Sequence, residues 1–501
     1  MAADCPARRA RLPRGYGPEG PQAPDSGWHQ PNRESGRITS LLLQGNTEST
    51  CTRERVGARF ARAVAREYLH ASWWAKRQPV RRLLADLEES QWRSTDELER
   101  RSSTALRDLL TYAVQQTPFY RSLGIQAGAA DGCPSLESLP VLEKETLQSQ
   151  ADSLLSSDLP RRTTWGRTSG STGRPLRVAY DDAFLAHNLA SQWRGRGWMG
   201  VPPGDRILTL WGRALDGSFR RNTRPARHLL RNYRTVPAFD LSDSCMEEAV
   251  SLLASFRPNL IYGYSTAIYR LALRCQRTGR KLREARANLR GVQYTAETLF
   301  EYQRRTVEEV FQCPVLSEYG CSETGAFAFE CPSGGLHLSV ENVAVEFLPL
   351  HGAEGGSIVA TVLHNRAMPL IRYRVGDVGI SVKGQCRCGR ALPLMKLVQA
   401  KEIDMIHTPD GRVVSSELFD YINLALIDRG LEAVKSFQVV QTGSQEFFVQ
   451  IEGWASEQVT RYWEQRMREA IGETISVRFE YVSRIPPDPS GKLRYFRREN
   501  G

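Results

Sequence analysis

The sequence predicts an α/β fold: a large N-terminal domain with mostly parallel sheets and helices, plus a small α+β C-terminal domain. Three observations carry this. Between Gly166 and Val398, short apolar runs alternate with amphipathic helical stretches. Glycine-rich and hydroxyl-rich turns follow several of those runs. After Leu397 the texture changes to a hairpin and one amphipathic helix, in a stretch of about 100 residues that suits a separate domain.

Residues 1–38 are rich in Pro, Gly and Arg without an apolar period, so a disordered leader is expected there. The large domain is expected over 39–397, helical to about residue 150, and the small one over 398–501. "RVGARFARAVAREYLHASWWAKR" and "TALRDLLTYAVQQTPFY" carry apolar residues three and four apart, and Pro118 ends the second helix. "DRILTLWG", "NLIYGY", "NLRGVQYTAE" and "CPVLSEYG" read as buried strands. "MEEAVSLLASF", "STAIYRLALRCQRTG" and "TLFEYQRRTVEEVF" read as the helices between them. This β-α-β-α order implies a mostly parallel sheet, whose strand ends collect ligand loops. Further on, "FQVVQTGSQEFFVQIEGW" reads as a hairpin and "SEQVTRYWEQRMREAIG" as a helix.

The 501-residue chain is 41% hydrophobic and 25% charged, ordinary for a globular protein. No apolar run approaches the roughly 20 residues of a membrane-spanning helix, and the expected location is the cytoplasm. The formal charge of +11 reflects 67 basic and 56 acidic residues. It suits either a solvated Arg-rich surface or a field that favours polyanions such as ATP and coenzyme A. The arginines form no single basic tract, so nucleic acid is not expected as a partner. Ten mostly isolated cysteines do not suggest a disulfide framework. His187 has no partner motif, and a surface or internally satisfied histidine is expected there.

Four loops hold the candidate chemistry. In "GRTSGSTGRPLRVAY", glycines let the backbone approach phosphate while Thr168, Ser169, Ser171 and Thr172 offer hydroxyl donors. Arg174 and Pro175 stand where a phosphate-loop Lys and Ser or Thr belong, and "PLRVAY" makes the context strand–loop–strand. "VLSEYGCSETG" delivers a Tyr, a hydroxyl and a carboxylate from a strand to a loop. "PLIRYRVGDVG" sets Arg372, Arg374 and Asp377 around Gly376, and an Asp can accept bonds from both hydroxyls of a ribose. "IPPDPSGKLRYF" puts Lys492 on a Gly/Pro loop, able to bring a point charge to an anionic transition state. Singly, each is also compatible with an ordinary polar loop.

In order, "TSGSTGRP", "TAE", "YGCSE", "YRVGD" and "SGKLR" resemble the core motifs of adenylate-forming acyl-activating enzymes. The likeness is to the phenylacetate–CoA ligase branch and its CapK-like relatives associated with capsular polysaccharide synthesis. "LLTYAVQQTPFYRSLG", "LESLPVLEKETL" and the "ECPSGGLH…CRCGR" pair support that branch. The resemblance covers about residues 100–501. It implies that Thr168, Ser169, Gly170, Ser171, Thr172 and Gly173 cover the β- and γ-phosphates of ATP. Ala296 and Glu297 would line the adenine side, with Tyr319 and Gly320 at the base. Ser322 would touch the α-phosphate, Glu323 would bind Mg²⁺, and Asp377 would hold the ribose. Arg374 and Lys401 would be further nucleotide contacts. Lys492 would stabilise the α-phosphate as a carboxylate attacks and pyrophosphate departs. Tyr262, Gly263 and Tyr264, ending a strand, would shape the acyl pocket.

The resemblance further implies a C-terminal lid that rotates between adenylation and thioester formation, and a homodimer. Leu176 replaces the Lys usual after "TGxP", Lys401 replaces an Arg, and Ile403 stands at an often acidic hinge position. Cys331, His337, Cys386 and Cys388 can supply a tetrahedral structural zinc site, though C-x-C is tighter than the common spacing. Thiols without metal are the alternative, and the resemblance favours zinc, since some relatives with a similar arrangement carry it. The expected activity is AMP-forming activation of a small carboxylate and transfer to coenzyme A. A carrier thiol, amine or sugar acceptor, or a weakened nucleotide-binding scaffold, are the alternatives.

Overall fold

The computed structural model describes residues 61–69, 71, 79–124, 136–160, 162–168, 176–211, 232–238, 243–277, 283, 286–350, 355–401, 405–409, 413–427, 429, 434–486 and 494–499. All of them lie in one compact unit, 54–501. The expected leader, 1–38, lies outside the described residues.

Helices α1 (Val80–Ser90) and α2 (Thr95–Gln116) open the described chain after a helical stretch at 61–69. Ser94 caps α2 by accepting from the Glu97 amide, and Asp96 and Glu97 suit the positive end of the helix dipole. The helix stops at Thr117, and Pro118 opens the short α3 (Pro118–Ser122), where its missing N–H costs nothing. After α4 (Lys144–Ser149), β1 (Thr164–Thr168) and β2 (Leu176–Tyr180) pair antiparallel, with Thr168 opposite Leu176. The glycine-rich stretch therefore joins two strands. Next comes α5 (Asp182–Gly197), capped by Asp181 Oδ1, which accepts from the Phe184 amide at 2.8 Å.

The central sheet contains β3 (Ile207–Trp211), β4 (Tyr233–Pro237), β5 (Leu260–Tyr264), β6 (Gly291–Thr295), β7 (Val315–Cys321), β8 (Gly325–Glu330), β9 (Leu336–Leu338), β10 (Val343–Pro349), β11 (Gly356–Val362), β12 (Tyr373–Val382) and β13 (Leu394–Lys401). Among the described residues its eleven strands run β10-β11-β12-β13-β9-β8-β7-β6-β5-β3-β4. From β4 to β7 the pairs are parallel. Helices α6 (Asp243–Phe256), α7 (Ser265–Gln276) and α8 (Glu301–Phe311) cover one face of this half. Leu208, Ile261 and Val292 meet Val250, Leu271 and Val307 in that core. Against the other face, Ala186, Ala190 and Trp193 of α5 pack on Ile207, Leu260 and Leu316. Beyond β7 the pairs turn antiparallel. Among the described residues that half has no intervening helices, so it carries no β-α alternation to read. Strand β13 extends past the expected domain end at residue 397, because Val398 and Lys401 still pair with β12.

The C-terminal domain opens with β14 (Met405–His407), β15 (Val413–Ser415) and α9 (Glu417–Ile427). Strands β16 (Val434–Gln441) and β17 (Glu446–Gly453) form the expected hairpin. Helix α10 (Glu457–Ile471) crosses to β18 (Ser476–Val482), parallel to β17, and β19 (Phe496–Arg498) pairs parallel to β16. Trp463 and Met467 of α10, buried with Phe437 and Val449, form its core.

Candidate nucleotide site

Strand β7 ends in Glu318, Tyr319, Gly320, Cys321, Ser322 and Glu323, the last two just beyond it. Gly320 is needed there: a Cβ on it would sit 2.1 Å from the Gly325 carbonyl oxygen of β8. Tyr319 rests edge-on against Phe327, and its hydroxyl donates to Asp377 Oδ2 at 2.9 Å. Burial, and then the Asp377 charge, push the Tyr319 phenol well above its ordinary range, so it stays a donor. Asp377 lies on β12, separated from β7 in the sheet order by β13, β9 and β8. The sheet therefore curls until β12 meets β7 side chain to side chain. A register shift after Asp377, with Gly376 at φ +87°, accompanies that bend.

Two phenols hold the turn that follows β7. Tyr373, at the start of β12, donates to the buried Glu323 Oε1 at 3.2 Å. Tyr180, at the end of β2, donates to the Ser322 carbonyl at 2.6 Å. Burial raises both phenols, and Glu323 raises them further. Through Tyr180 the β1–β2 hairpin is tied to the Ser322–Glu323 turn. A Cβ at Gly166 would lie 2.6 Å from the Tyr180 ring, so the glycine makes room for this buttress. Thr168 ends β1, while Ser169, Gly170, Ser171, Thr172 and Gly173 lie outside the described residues, as do Ile403 and Lys492. Lys401 stands opposite Asp377 by backbone register.

Ala296 closes β6 at φ +69°, a left-handed backbone that costs a non-glycine residue about 1 kcal/mol or more. Glu297 turns to helix α7: its Oε2 accepts from the Thr266 amide at 3.0 Å and its carbonyl from Ser265 Oγ at 2.8 Å. Arg374 donates through Nε to both oxygens of Glu143 at 3.0 Å, so its guanidinium is held by the helical part of the large domain.

Tyr262 donates to Glu318 Oε1 at 2.8 Å, stacks on Trp211, and carries the Arg196 guanidinium 4.9 Å above its ring. Arg196, Trp211 and Tyr262, with Thr209, Tyr233 and Thr235, line a cavity of about 230 Å³. Tyr264 packs against Trp211, 4.8 Å between ring centres, and burial with Glu297 pushes its phenol up to about 12. Gly263 faces the other way; a Cβ there would strike the Leu210 carbonyl oxygen.

Sequence reasoning did not assign Tyr180, Tyr373, Glu143 or Arg196. Tyr180 and Tyr373 each flank a motif, at the end of "PLRVAY" and the start of "YRVGD". A phenol at a strand terminus beside a carboxylate motif is the signal that was available.

The ligand atoms of Cys331, His337, Cys386 and Cys388 all lie within 4.8 Å of one another. Cys331 Sγ is 3.6 Å from Cys386 Sγ, and Cys388 Sγ is 3.3 Å from His337 Nε2. Tetrahedral zinc with bonds of about 2.3 Å to sulfur and 2.0 Å to nitrogen needs ligand separations of roughly 3.5–3.8 Å. His337 Nδ1 lies 3.1 Å from the Leu392 carbonyl, a partner that directs Nε2 to the cluster. Burial lowers the His337 pKa and keeps the imidazole neutral, as a ligand must be. Gly335 passes so close that a Cβ would fall 2.7 Å from Cys386 Sγ. The donor set fits zinc, with four protein ligands and a structural geometry.

This curled sheet with its appended α+β domain is the fold of adenylate-forming ligases. 2-Hydroxyisobutyryl-CoA ligase, solved in the postadenylation state with R3-HIB-AMP, superposes with a TM-score of 0.63 at 18% identity, over 82% of this chain and 91% of that one. The chain is related to CapK and to phenylacetate–coenzyme A ligases. It is 22% identical to Protein CapK of Staphylococcus aureus over 378 residues, 72% of this chain and 80% of that protein. It is 27% identical to the phenylacetate-coenzyme A ligase of Thermus thermophilus over 317 residues, 60% of this chain and 69% of that enzyme. Residues 406–499 match the CapK C-terminal domain family model.

Proposed function

We propose that the protein activates a small carboxylate with ATP, forming an acyl-adenylate and pyrophosphate, and then passes the acyl group to coenzyme A. The observation that carries this reading is the meeting of Tyr319 with Asp377 and of Tyr373 with Glu323, which gathers two carboxylates and a hydroxyl-bearing turn beside the glycine-rich hairpin.

In the first step a substrate carboxylate oxygen attacks the α-phosphorus and the bond to pyrophosphate breaks. Asp377 accepts hydrogen bonds from the ribose hydroxyls, held in orientation by Tyr319. Ser322 donates to the α-phosphate. Thr168–Gly173 wraps the departing phosphates with backbone N–H groups and hydroxyls. Lys492 brings its charge to the α-phosphate oxygens as negative charge develops there. Glu323 is the residue that would hold Mg²⁺, which when bound neutralises phosphate charge. In the second step the thiol sulfur attacks the acyl carbonyl carbon, its proton passes to solvent, and AMP leaves. The Tyr262–Trp211–Tyr264 wall and its cavity would receive the acyl chain. Cys331, His337, Cys386 and Cys388 would hold a structural zinc ion that ties β9 to the loop before β13.

Among the described residues no helix is long and apolar enough to cross a membrane. A cytoplasmic location is part of the proposal. A homodimer remains part of the proposal. A second reading, which rests on the resemblance to capsule-associated relatives, sends the acyl or adenylyl group to a carrier thiol, amine or sugar. Carboxylate-dependent exchange of labelled pyrophosphate into ATP tests the first step, using a panel of acids. AMP release that requires coenzyme A selects the ligase; AMP release only with another nucleophile selects the second reading. No exchange with any acid leaves only a nucleotide-binding scaffold.

A further inference from the structure

We infer that Arg196 is a specificity-determining residue, which selects acids bearing a second anionic group at the end remote from the activated carboxylate. This rests on the adenylation reading, with the cavity beside Tyr262 as its acyl pocket, and adds a substrate class to that pocket. The cavity runs along one face of β3, β4 and β5. Ile207, Thr209 and Trp211 alternate along β3, and Tyr233, Thr235 and Tyr262 stand opposite them by register.

The two ends of the cavity differ. Trp211 closes β3 at its carboxyl end, the side on which ligand loops collect. Arg196, in the last turn of α5, marks the deep end. It bonds Tyr233, which opens β4, and Gln293, the third residue of β6. Gln293 stands three residues before Ala296, so at about 3.3 Å per residue the guanidinium lies roughly 10 Å below the strand ends. A dry cavity of about 150 Å³ admits benzene. The 230 Å³ here therefore takes a ring or a short chain.

Arg196 is only 5% exposed, and a buried cation needs partners. Among the described residues its hydrogen-bond partners are neutral: Nε donates to Gln293 Oε1 at 3.3 Å, and the Tyr233 hydroxyl is the other. The rings of Trp193 and Tyr262, 5.0 and 4.9 Å from Cζ, fix the plane of the group. A guanidinium carries five N–H donors in a fork that matches a carboxylate. Arg196 lines the cavity, so donors beyond those two bonds are available to a ligand there. Glu318, 3% exposed, acts on Arg196 through space. Its Oε1 accepts from Tyr262 and Gln192, while its Oε2 has no hydrogen-bond partner. Burial pushes the Glu318 carboxyl above its ordinary range against the pull of Arg196. Protonation of Glu318 leaves the guanidinium without a counter-charge, and an incoming anion supplies one. An apolar terminus would leave the remaining donors unmet.

The test uses the full chain and a ladder of dicarboxylates from succinate to suberate, with 4-carboxyphenylacetate as the ring member. Each is matched by its monoamide and by an acid of equal length ending in isopropyl. Pyrophosphate exchange reports kcat/KM for the acid. The rise in melting temperature with acid alone, without ATP, reports the pocket apart from any chemistry. At one or more lengths the dicarboxylate should exceed both matched acids at least tenfold. Arg196→Met should cut that ratio at least tenfold. Arg196→Lys, which keeps the charge without the fork, should cut it less. The dicarboxylate should also raise the melting temperature more than its monoamide, and Arg196→Met should remove the difference. Matched acids that equal the dicarboxylate at every length, or exchange with other acids but none of the ladder, overturn the inference. So does an unchanged ratio in Arg196→Met, including equal loss on all acids. If Arg196→Met does not fold, Arg196→Lys decides, and an unchanged ratio there overturns it. Absence of exchange with every acid overturns the adenylation reading instead. The melting readout then judges Arg196 by itself, and equal shifts with dicarboxylate and monoamide overturn it.

Discussion

Tyr319→Phe probes the point where β7 meets β12. The ring keeps its edge-on contact with Phe327, so the perturbation is the loss of one O–H donor to Asp377 at 2.9 Å. A hydrogen bond to a charged acceptor contributes about 1.5–3 kcal/mol. Asp377 is half-buried, so water partly replaces the phenol and the lower end applies. About 1.4 kcal/mol is a factor of ten. If Asp377 grips the ribose and Tyr319 only orients it, Tyr319→Phe should raise KM for ATP about tenfold and leave kcat within twofold. Asp377→Ala should raise KM further, by about 3 kcal/mol or a hundredfold, for the loss of two charge-assisted bonds to the ribose. In Asp377→Ala the Tyr319 hydroxyl has nothing left to orient, so the double variant should match Asp377→Ala alone. Pyrophosphate-exchange kinetics on the four proteins measure this cycle. Full additivity of the two effects, or a Tyr319→Phe loss carried by kcat, would refute the reasoning.

Other expectations are independent of that cycle. Lys492→Ala should cut the exchange rate by at least a hundredfold while ATP binding by calorimetry stays within threefold; equal loss of both counts against its role. Purified protein should contain about one zinc per chain by elemental analysis, and a strong chelator should lower the melting temperature by several degrees, as for any ligand bound only by the native state. Cys388→Ser should abolish both effects, and a protein that purifies without zinc retires the site. His187 stacks on His364, 3.6 Å between ring centres, and burial lowers it to about 4. A folded pKa below the unfolded value of about 6.5 means stability is intact above 6.5 and lost as pH falls toward 4. That loss is up to about 3 kcal/mol, to which His364, also lowered by burial, adds. Urea unfolding of His187→Gln between pH 7 and pH 4.5 should show a flatter profile than the unaltered protein, and an unchanged slope would remove His187 as the cause.

Much of the fold was legible because local periodicity encodes it. The apolar runs at Ile207–Trp211, Leu260–Tyr264, Gly291–Thr295 and Val315–Cys321 became neighbouring parallel strands, and the three helical stretches between them cover one face. The hairpin and helix of the C-terminal domain were readable for the same reason. The antiparallel half was less so, since short strands without helices between them carry weak signals. His187 was expected to be either a surface or an internally satisfied histidine, and the structure makes it the latter, through Asn342 and the His364 ring.

The sequence by itself determined which residues stand at strand ends and in what order, because turns, glycines and apolar spacing act over a few residues. It also set out the Cys and His spacing, although not that the four ligand atoms converge. Only the tertiary structure decided that Tyr319 reaches Asp377, that Tyr373 and Tyr180 buttress the Ser322–Glu323 turn, that Glu297 caps α7, and that Arg196 lies over Tyr262. Those meetings depend on how far the sheet curls and on a register shift at Asp377. Curl and register sum over packing across hundreds of residues, and no local stretch of chain records them.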